Sequence, residues 1–203
     1  MSRINCKKCR RIGESLCGRE KCAYKKRPFA PGKRDAERKH KSNKSEYGLQ
    51  MIQKQKVRHT YGVSEKQFSG YVKHAITHKD KSLTPAETLY SALESRLDNV
   101  VYRAGFAHVR ALARQMVVHG HITVNGKRVL SAAYQTKIGD VVEVREGSRK
   151  SPLFMHVPEK LKKYKAPSWL TVDGDKFKAT ITAKAKDIDA NFDIASVLEF
   201  YSR

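Results

Sequence analysis

Residues 84–128 read TPAETLYSALESRLDNVVYRAGFAHVRALARQMVVHGHITVNGKR, and the fold turns on how this stretch is read. At helical period Leu89, Leu93, Leu97, Val100 and Val101 fall on one face, and Arg96, Asn99 and Arg103 on a neighbouring one. The first face can pack, and the second is expected to stay wet and charged. A second segment repeats the scheme, with Leu112, Ala113, Met116 and Val117 inward and Arg110, Arg114 and Gln115 outward. Thr84-Pro85-Ala86-Glu87 opens the stretch with a capping box and proline at the first helical position, and Gly105 and Gly120 close its two helices. Asn125-Gly126 between ITV and KRV signals a tight hairpin that places Lys127 and Arg128 at the head of the returning strand. Two short helices and a hairpin with one basic side make a compact surface for reading phosphates.

The whole chain supports a polyanionic partner. Lys and Arg number 42 against 20 Asp and Glu in 203 residues, a formal charge of +22. Such an excess repels itself in a compact fold and attracts nucleic acid or an anionic membrane. No apolar run approaches the ~20 residues of a membrane span, and MSRINCKKCRR lacks the apolar core of a secretory signal. Nucleic acid is therefore the expected partner, with no membrane, in a reducing, cytoplasmic compartment.

All four cysteines lie in the first 22 residues. Cys6-x-x-Cys9 is a chelating pair, and Cys17 and Cys22 can close a tetrahedron around one ion. Lys7, Lys8, Arg10, Arg11, Arg19 and Lys21 are expected to favour the thiolates and offset their charge. One structural Zn²⁺ is the expected occupant. An iron–sulfur cluster uses the same ligands, and two disulfides or four reduced thiols are the remaining readings. Residues 1–45 then carry sixteen Lys and Arg against four Asp and Glu, broken by Pro28, Pro31 and Gly32. This predicts an extended arm, with Lys33, Arg34 and Arg38 as RNA contacts.

From Ser45 the pattern turns helical. Ser45 caps a helix that ends near Tyr61-Gly62 and presents Lys54 and Arg58 outward as phosphate contacts. Ser64-x-x-Gln67 caps a second, with Phe68, Tyr71, Val72 and Ala75 at core spacing. After residue 128, Lys137-Ile138-Gly139-Asp140 is a turn into the strand beginning at Val141. Ser148 to Pro152 reads as a basic loop and Lys160 to Lys165 as a short helical segment. Two further strands flank Asp173-Gly174-Asp175-Lys176 as a second hairpin.

The segments RLDNVVYRAGFA, RALARQMVVHGHITVNGKRV and KIGDVVEVRE resemble the RNA-binding module named after ribosomal protein S-four, and SEYGLQMIQKQKVRHTYGVSEKQF and VLEFYSR resemble the flanks of that ribosomal family. The resemblance implies an α+β fold: a small zinc knuckle and helical N-terminal domain, followed by a module of two helices packed on a short, mostly antiparallel sheet. The implied domains are 1–44 (knuckle and arm), 45–83 (helical, with 190–203 packing back) and 84–189 (RNA-binding). It further implies a non-enzymatic constituent of the small ribosomal subunit, in a bacterium or an organelle. Such a protein binds small-subunit ribosomal RNA early in assembly, near the mRNA entry channel and ribosomal proteins S-three and S-five, and influences decoding accuracy. In one respect this sequence departs from the family: a threonine and glutamate usually cap the module's second helix, and Val109 and Leu112 stand in their places.

In this reading Arg96, Arg103, Arg110, Arg114, Lys127 and Arg128 fix phosphates, while Asn99, Gln115, His119, His121 and Asn125 add hydrogen bonds to sugars or shape. The rivals are an RNA-modifying enzyme or a regulator carrying the same module. The enzyme would need a contiguous catalytic domain of ~100 to 200 residues, for which the chain leaves no room.

Overall fold

The computed structural model describes residues 6–32, 43–77, 83–161, 164–186, 189 and 191–202. Along the chain run α1 (Cys6–Ile12), α2 (Ala23–Lys26), α3 (Glu46–Tyr61), α4 (Glu65–Thr77), α5 (Pro85–Glu94), α6 (Leu97–Arg103) and α7 (Arg110–Val118). They are followed by β1 (Ile122–Val124), β2 (Lys127–Arg128), β3 (Val141–Val144), α8 (Glu146–Arg149), α9 (Val157–Leu161), β4 (Leu170–Asp173), β5 (Lys178–Ile181) and α10 (Ile194–Ser202). The chain forms two compact units, Met1–Leu89 with Ile188–Arg203, and Tyr90–Asp187, so the boundary falls within α5.

The first unit is helical. The Ser45 hydroxyl accepts from the Gly48 N–H at 3.3 Å to start α3, and Gly62, at φ 64°, ends it. Ser64 caps α4 by accepting from the Gln67 N–H at 3.3 Å. α10 packs on α3 and α4 through rings: Tyr47 stacks on Phe200 at 5.3 Å, and Phe68 meets Tyr201 at 6.1 Å. Val57, Phe68, Val72 and Val197 are fully buried beneath them. α1, α2 and the loop between them close over Cys9, Leu16, Cys17 and Cys22. The Glu14 carboxylate fastens this cap to α3 by a 2.8 Å ion pair with Lys56.

The second unit carries a five-stranded sheet in the order β2-β1-β3-β5-β4, with every pairing antiparallel. Asn125 (φ 50°) and Gly126 (φ 76°) make the tight turn that sets β2 against β1. Alternate residues Ile122, Val124, Val142, Val144, Ala179 and Ile181 are buried, and so are Leu97, Val100 and Val101 of α6 and Ala113, Met116 and Val117 of α7. The second hairpin does not stand apart, because β5 pairs with β3 through Val141 and Thr180. The basic stretch expected as a loop at residues 148–152 begins instead inside the helical turn α8, and the short helix expected from Lys160 ends at Leu161.

One local feature departs from the sequence reading. Residues 84–103 are not one continuous helix, since α5 stops at Glu94 and α6 starts at Leu97. Between them Arg96 is extended (φ −65°, ψ 135°) and bridges to Gln135. The freed backbone groups are satisfied by residues 132–136: the Leu97 N–H donates to the Tyr134 carbonyl at 2.9 Å, and the Thr136 N–H to the Ser95 carbonyl at 2.9 Å. A helical wheel drawn through this break still puts Leu89, Leu93, Leu97, Val100 and Val101 inside, but it misplaces Arg96 and Asn99.

Candidate nucleic-acid interface and cysteine cluster

The break between α5 and α6 brings two acids into the middle of the arginines. Glu94, the last residue of α5, is fully buried. Its carboxylate accepts two hydrogen bonds from Arg103, each 2.9 Å, and one of 2.8 Å from the Asn99 side-chain amide. Asp98, in the first turn of α6 where the helix dipole favours an anion, takes Arg96 in a two-point pair at 3.1 and 2.9 Å and Arg114 at 3.1 Å. Asn99 joins the two halves, because its carbonyl oxygen accepts from Arg110 Nε at 2.8 Å. Arg110 lies over the Tyr102 ring, 4.4 Å from its centre. Arg110 and Arg114 are one helical turn apart on α7, and Arg110 reaches Glu94 at 4.0 Å while Arg114 reaches Asp98 at 3.1 Å.

Four guanidiniums around two carboxylates leave the lattice positive. The two-point pairs orient the Arg96 and Arg103 guanidiniums as well as binding them. The side chains of Arg103, Arg110 and Arg114 keep 21%, 17% and 22% of their surface, so each presents an edge outward.

This corrects the reading of Arg96 and Asn99 as a wet face. Arg96 is completely buried and Asn99 is 2% exposed, because the chain turns at Ser95 and carries both inward. They build the lattice from inside. Glu94, Asp98 and Tyr102 were not singled out from the sequence. The available signal was the acidic pair itself, Glu94 and Asp98, set among four arginines in a chain this basic.

The remaining predicted residues are placed apart from the lattice. Gln115, Lys127, Arg128 and His119 are exposed. The Arg128 guanidinium crosses Gly120 and donates to the His119 carbonyl at 3.3 Å. With φ at +73°, Gly120 sits where a side chain would be strained, and a Cβ there would also displace the Arg128 guanidinium. The His119 and His121 rings stack at 6.2 Å, and His121 Nδ1 is 3.0 Å from the Ser148 hydroxyl. Burial first, then the charges of His119, Arg145 and Arg128, hold the His121 pKa below its ordinary value. Asn125 is a fastener: its amide donates to Asp140 at 2.8 Å and its carbonyl oxygen accepts from the Val141 N–H at 2.9 Å.

Lys54 does not point outward. It is 8% exposed, paired with Glu65 at 2.9 Å and held over the Phe200 ring at 4.5 Å, because α10 covers that face of α3. Arg58 binds the Gln55 side chain at 3.0 and 2.7 Å and Glu65 at 3.2 Å. Burial alone would raise the Glu65 carboxyl. Hydrogen bonds from Lys54 and Tyr201 outweigh it and hold its pKa below the usual value. Lys33, Arg34 and Arg38 lie outside the described residues. As expected, Val109 offers no side-chain cap to α7, whereas Thr84 and Glu87 form the reciprocal box at α5, 3.2 and 2.7 Å.

In the cap, the sulfurs of Cys6, Cys17 and Cys22 lie within 4.8 Å of one another. Cys9 is buried beside them, with thiol hydrogen bonds to Cys17 and to Cys22, and none of the four is in a disulfide. A tetrahedral ion with bonds of ~2.3 Å needs sulfurs roughly 4 Å apart, so this donor set fits a soft metal with small adjustment. Burial pushes the Cys9 thiol up to about 12 and raises Cys17 as well. Cys22 is also pushed up by burial, but hydrogen bonds from Ser15, the Tyr24 N–H, Cys17 and Cys9 bring it down to about 7. The basic collar expected to favour thiolates is thus not what lowers Cys22, since local hydrogen bonds do so. Among the described residues no helix is long and apolar enough to cross a membrane.

Comparison with known proteins places the chain in a family. The Ribosomal protein S4/S9 N-terminal domain family matches residues 2–94, and the S4 domain family matches residues 95–142. The small ribosomal subunit protein uS4 of Nitratidesulfovibrio vulgaris is 43% identical over 98% of this chain and 96% of its own length. That of Natranaerobius thermophilus is 44% identical over the same shares, and that of Maridesulfovibrio salexigens 43% identical over 100% of this chain and 98% of its own. The chain belongs to the small ribosomal subunit protein uS4 family, a family of structural, non-enzymatic constituents of the ribosome.

Proposed function

We propose that this chain is a primary binder of small-subunit ribosomal RNA, which helps nucleate the body of the small subunit in the cytoplasm. The single observation that supports RNA binding most directly is the lattice of Glu94, Asp98, Asn99 and four arginines. Arg103, Arg110 and Arg114 are held by internal acids at fixed separations before RNA arrives, so little side-chain entropy remains to be lost on binding. Arg96 and Asn99 act as positioning residues. Arg128, Lys127, His119, His121 and Gln115 extend the phosphate-reading surface, and Asn125 fixes the hairpin that bears them. Lys33, Arg34 and Arg38 contribute as an arm, and Arg58 marks a second basic face. The domains 1–44, 45–83 with 190–203, and 84–189 are the working divisions of this reading.

In the cap Cys6, Cys9, Cys17 and Cys22 hold one structural Zn²⁺, with an iron–sulfur cluster as the alternative. Such an ion supplies rigidity and no chemistry, because four sulfurs leave no open position. Family membership supports the finer placement, near the mRNA entry channel and beside proteins S-three and S-five, with an influence on accuracy.

Gradient sedimentation of lysate tests the main reading: the protein co-migrates stoichiometrically with small subunits, and finding it mainly free at physiological salt overturns the proposal. With purified components, affinity for the 5′ domain of the ribosomal RNA falls with salt with a log–log slope steeper than about −4. A flat response removes the phosphate-led mechanism.

A further inference from the structure

The second unit holds a recess of about 430 Å³ where the end of α6 and the start of α7 meet residues 152–160 and Tyr164. Its walls include Phe106, Leu112, and the rings of Tyr102 and Tyr164. His156 and Lys160, both exposed, stand on its rim. The volume is within the ~300 to 1,000 Å³ usual for a small organic ligand.

Its walls are tied to the arginine lattice. Tyr164 donates its hydroxyl to the Arg103 carbonyl at 3.0 Å, and Tyr102 carries the Arg110 guanidinium on one face. Gly105, at φ +78°, lets the two walls close: a Cβ there would stand 2.7 Å from Leu161 Cδ2 and 3.1 Å from Tyr164 Cδ1. Tyr164 as a residue nevertheless keeps 42% of its surface.

An aromatic recess set inside a field of fixed cations is the combination single-stranded RNA requires. The cations take the phosphates, and a ring face takes the base that has left its stack. We propose that this recess receives one unstacked nucleobase of the bound RNA, stacked against Tyr164 beside the Arg103 and Arg110 phosphate contacts. The proposal rests on the RNA-binding reading above and adds to it a contact whose strength is not electrostatic. Charge decides between occupants. A protein partner reaching this recess would have to approach past Lys160 and the lattice arginines, which favour an anionic chain.

The test uses the full chain and a transcript of the ribosomal RNA 5′ domain, with binding measured across a salt series. Tyr164→Leu weakens binding about tenfold and leaves the salt slope unchanged, because no phosphate contact is lost. Tyr164→Phe keeps the ring and binds within about twofold of the parent. Parental affinity in Tyr164→Leu overturns the base site while leaving the phosphate reading intact. A reduced salt slope in Tyr164→Leu also overturns it, since the residue then acts only by placing Arg103. Failure of the parent chain to bind with a steep salt slope overturns both readings. A benzophenone amino acid at Leu153, also on the recess wall, gives a readout independent of folding differences: in assembled small subunits it cross-links to one nucleotide. Cross-linking to a neighbouring protein and to no RNA overturns the proposal.

Discussion

The arginine lattice and the cysteine cap each draw polar groups out of water, and they differ in what completes them. In the lattice, Glu94 and Asp98 accept hydrogen bonds from the arginines and from Asn99, so the chain satisfies the cluster with its own residues. In the cap, Cys9, Cys17 and Cys22 are packed around little more than Leu16, with Ile12 and Tyr24 partly buried against them. So small an apolar core cannot offset the entropy of ordering some twenty residues. The lattice is therefore complete on the chain's own residues, whereas the cap, on the metal reading proposed above, depends on its ion.

Removing the partner should break the cap first, and this is the largest expected effect. Chelation should unfold residues 6–26, with an apparent cost approaching the ~10 to 16 kcal/mol typical of structural zinc. Amide exchange in α1 would then become fast while that of α6 and α7 stays slow. Equal protection of α1 with and without chelator would show that packing alone holds the cap.

The reciprocal change is Glu94→Ala. It leaves Arg103, Arg110 and Asn99 facing a vacated buried site, so about 3 to 5 kcal/mol of stability should be lost, as when one member of a buried pair is removed. Metal content should stay the same. Denaturant unfolding followed by RNA binding would separate lost stability from lost contacts. A loss below about 1 kcal/mol would mean that the acids are solvated and that the lattice is not preorganised.

A smaller effect concerns α3, the helix to which Glu14 ties the cap. His59, half-buried near the end of α3, is pushed down to about 4 by burial first and then by the charges of Lys8 and Arg58, against an opposing pull from Glu65. The fold favours the neutral ring, so its contribution is complete above about pH 6.5 and is lost as pH falls from there to 4. Solvent screening at a half-buried site reduces the loss to roughly 1 to 2 kcal/mol. Comparing parent and His59→Asn in urea at pH 7 and pH 4.5 isolates it from the titrating carboxylates. Identical pH dependence in the two proteins would remove His59 as the cause.

The same contrast explains what the sequence made legible. Local chemistry was readable: the Ser45 and Thr84 caps, the turn at Asn125-Gly126 and the glycines at 105 and 120 all stand where their residue types put them. The family and the basic face were readable too. Arg96 and Lys54 were misplaced for one reason. Each is covered by a segment far along the chain, residues 132–136 for Arg96 and α10 for Lys54, and helical period says nothing about long-range cover. The acids were passed over because a net charge of +22 draws attention to cations, although anions decide where those cations are held.

The smallest expected effect bears on how firmly the lattice is held. Arg110 and Arg114 project from the first turns of α7, whose N-cap, Val109, has a side chain with nothing to offer the N–H groups of the first turn. Its backbone is already extended (φ −143°, ψ 147°), the conformation a capping threonine adopts. Val109→Thr keeps the shape of a side chain that is 7% exposed and adds an acceptor for the first-turn amides. The gain should be about 0.5 to 1 kcal/mol, read as two- to fivefold slower exchange of the amides of residues 111 and 112. If exchange slows while affinity for RNA stays within error, the internal acids alone fix the arginines. If affinity rises in proportion, the helix start had remained loose, and the lattice is only as preorganised as the turn that carries it.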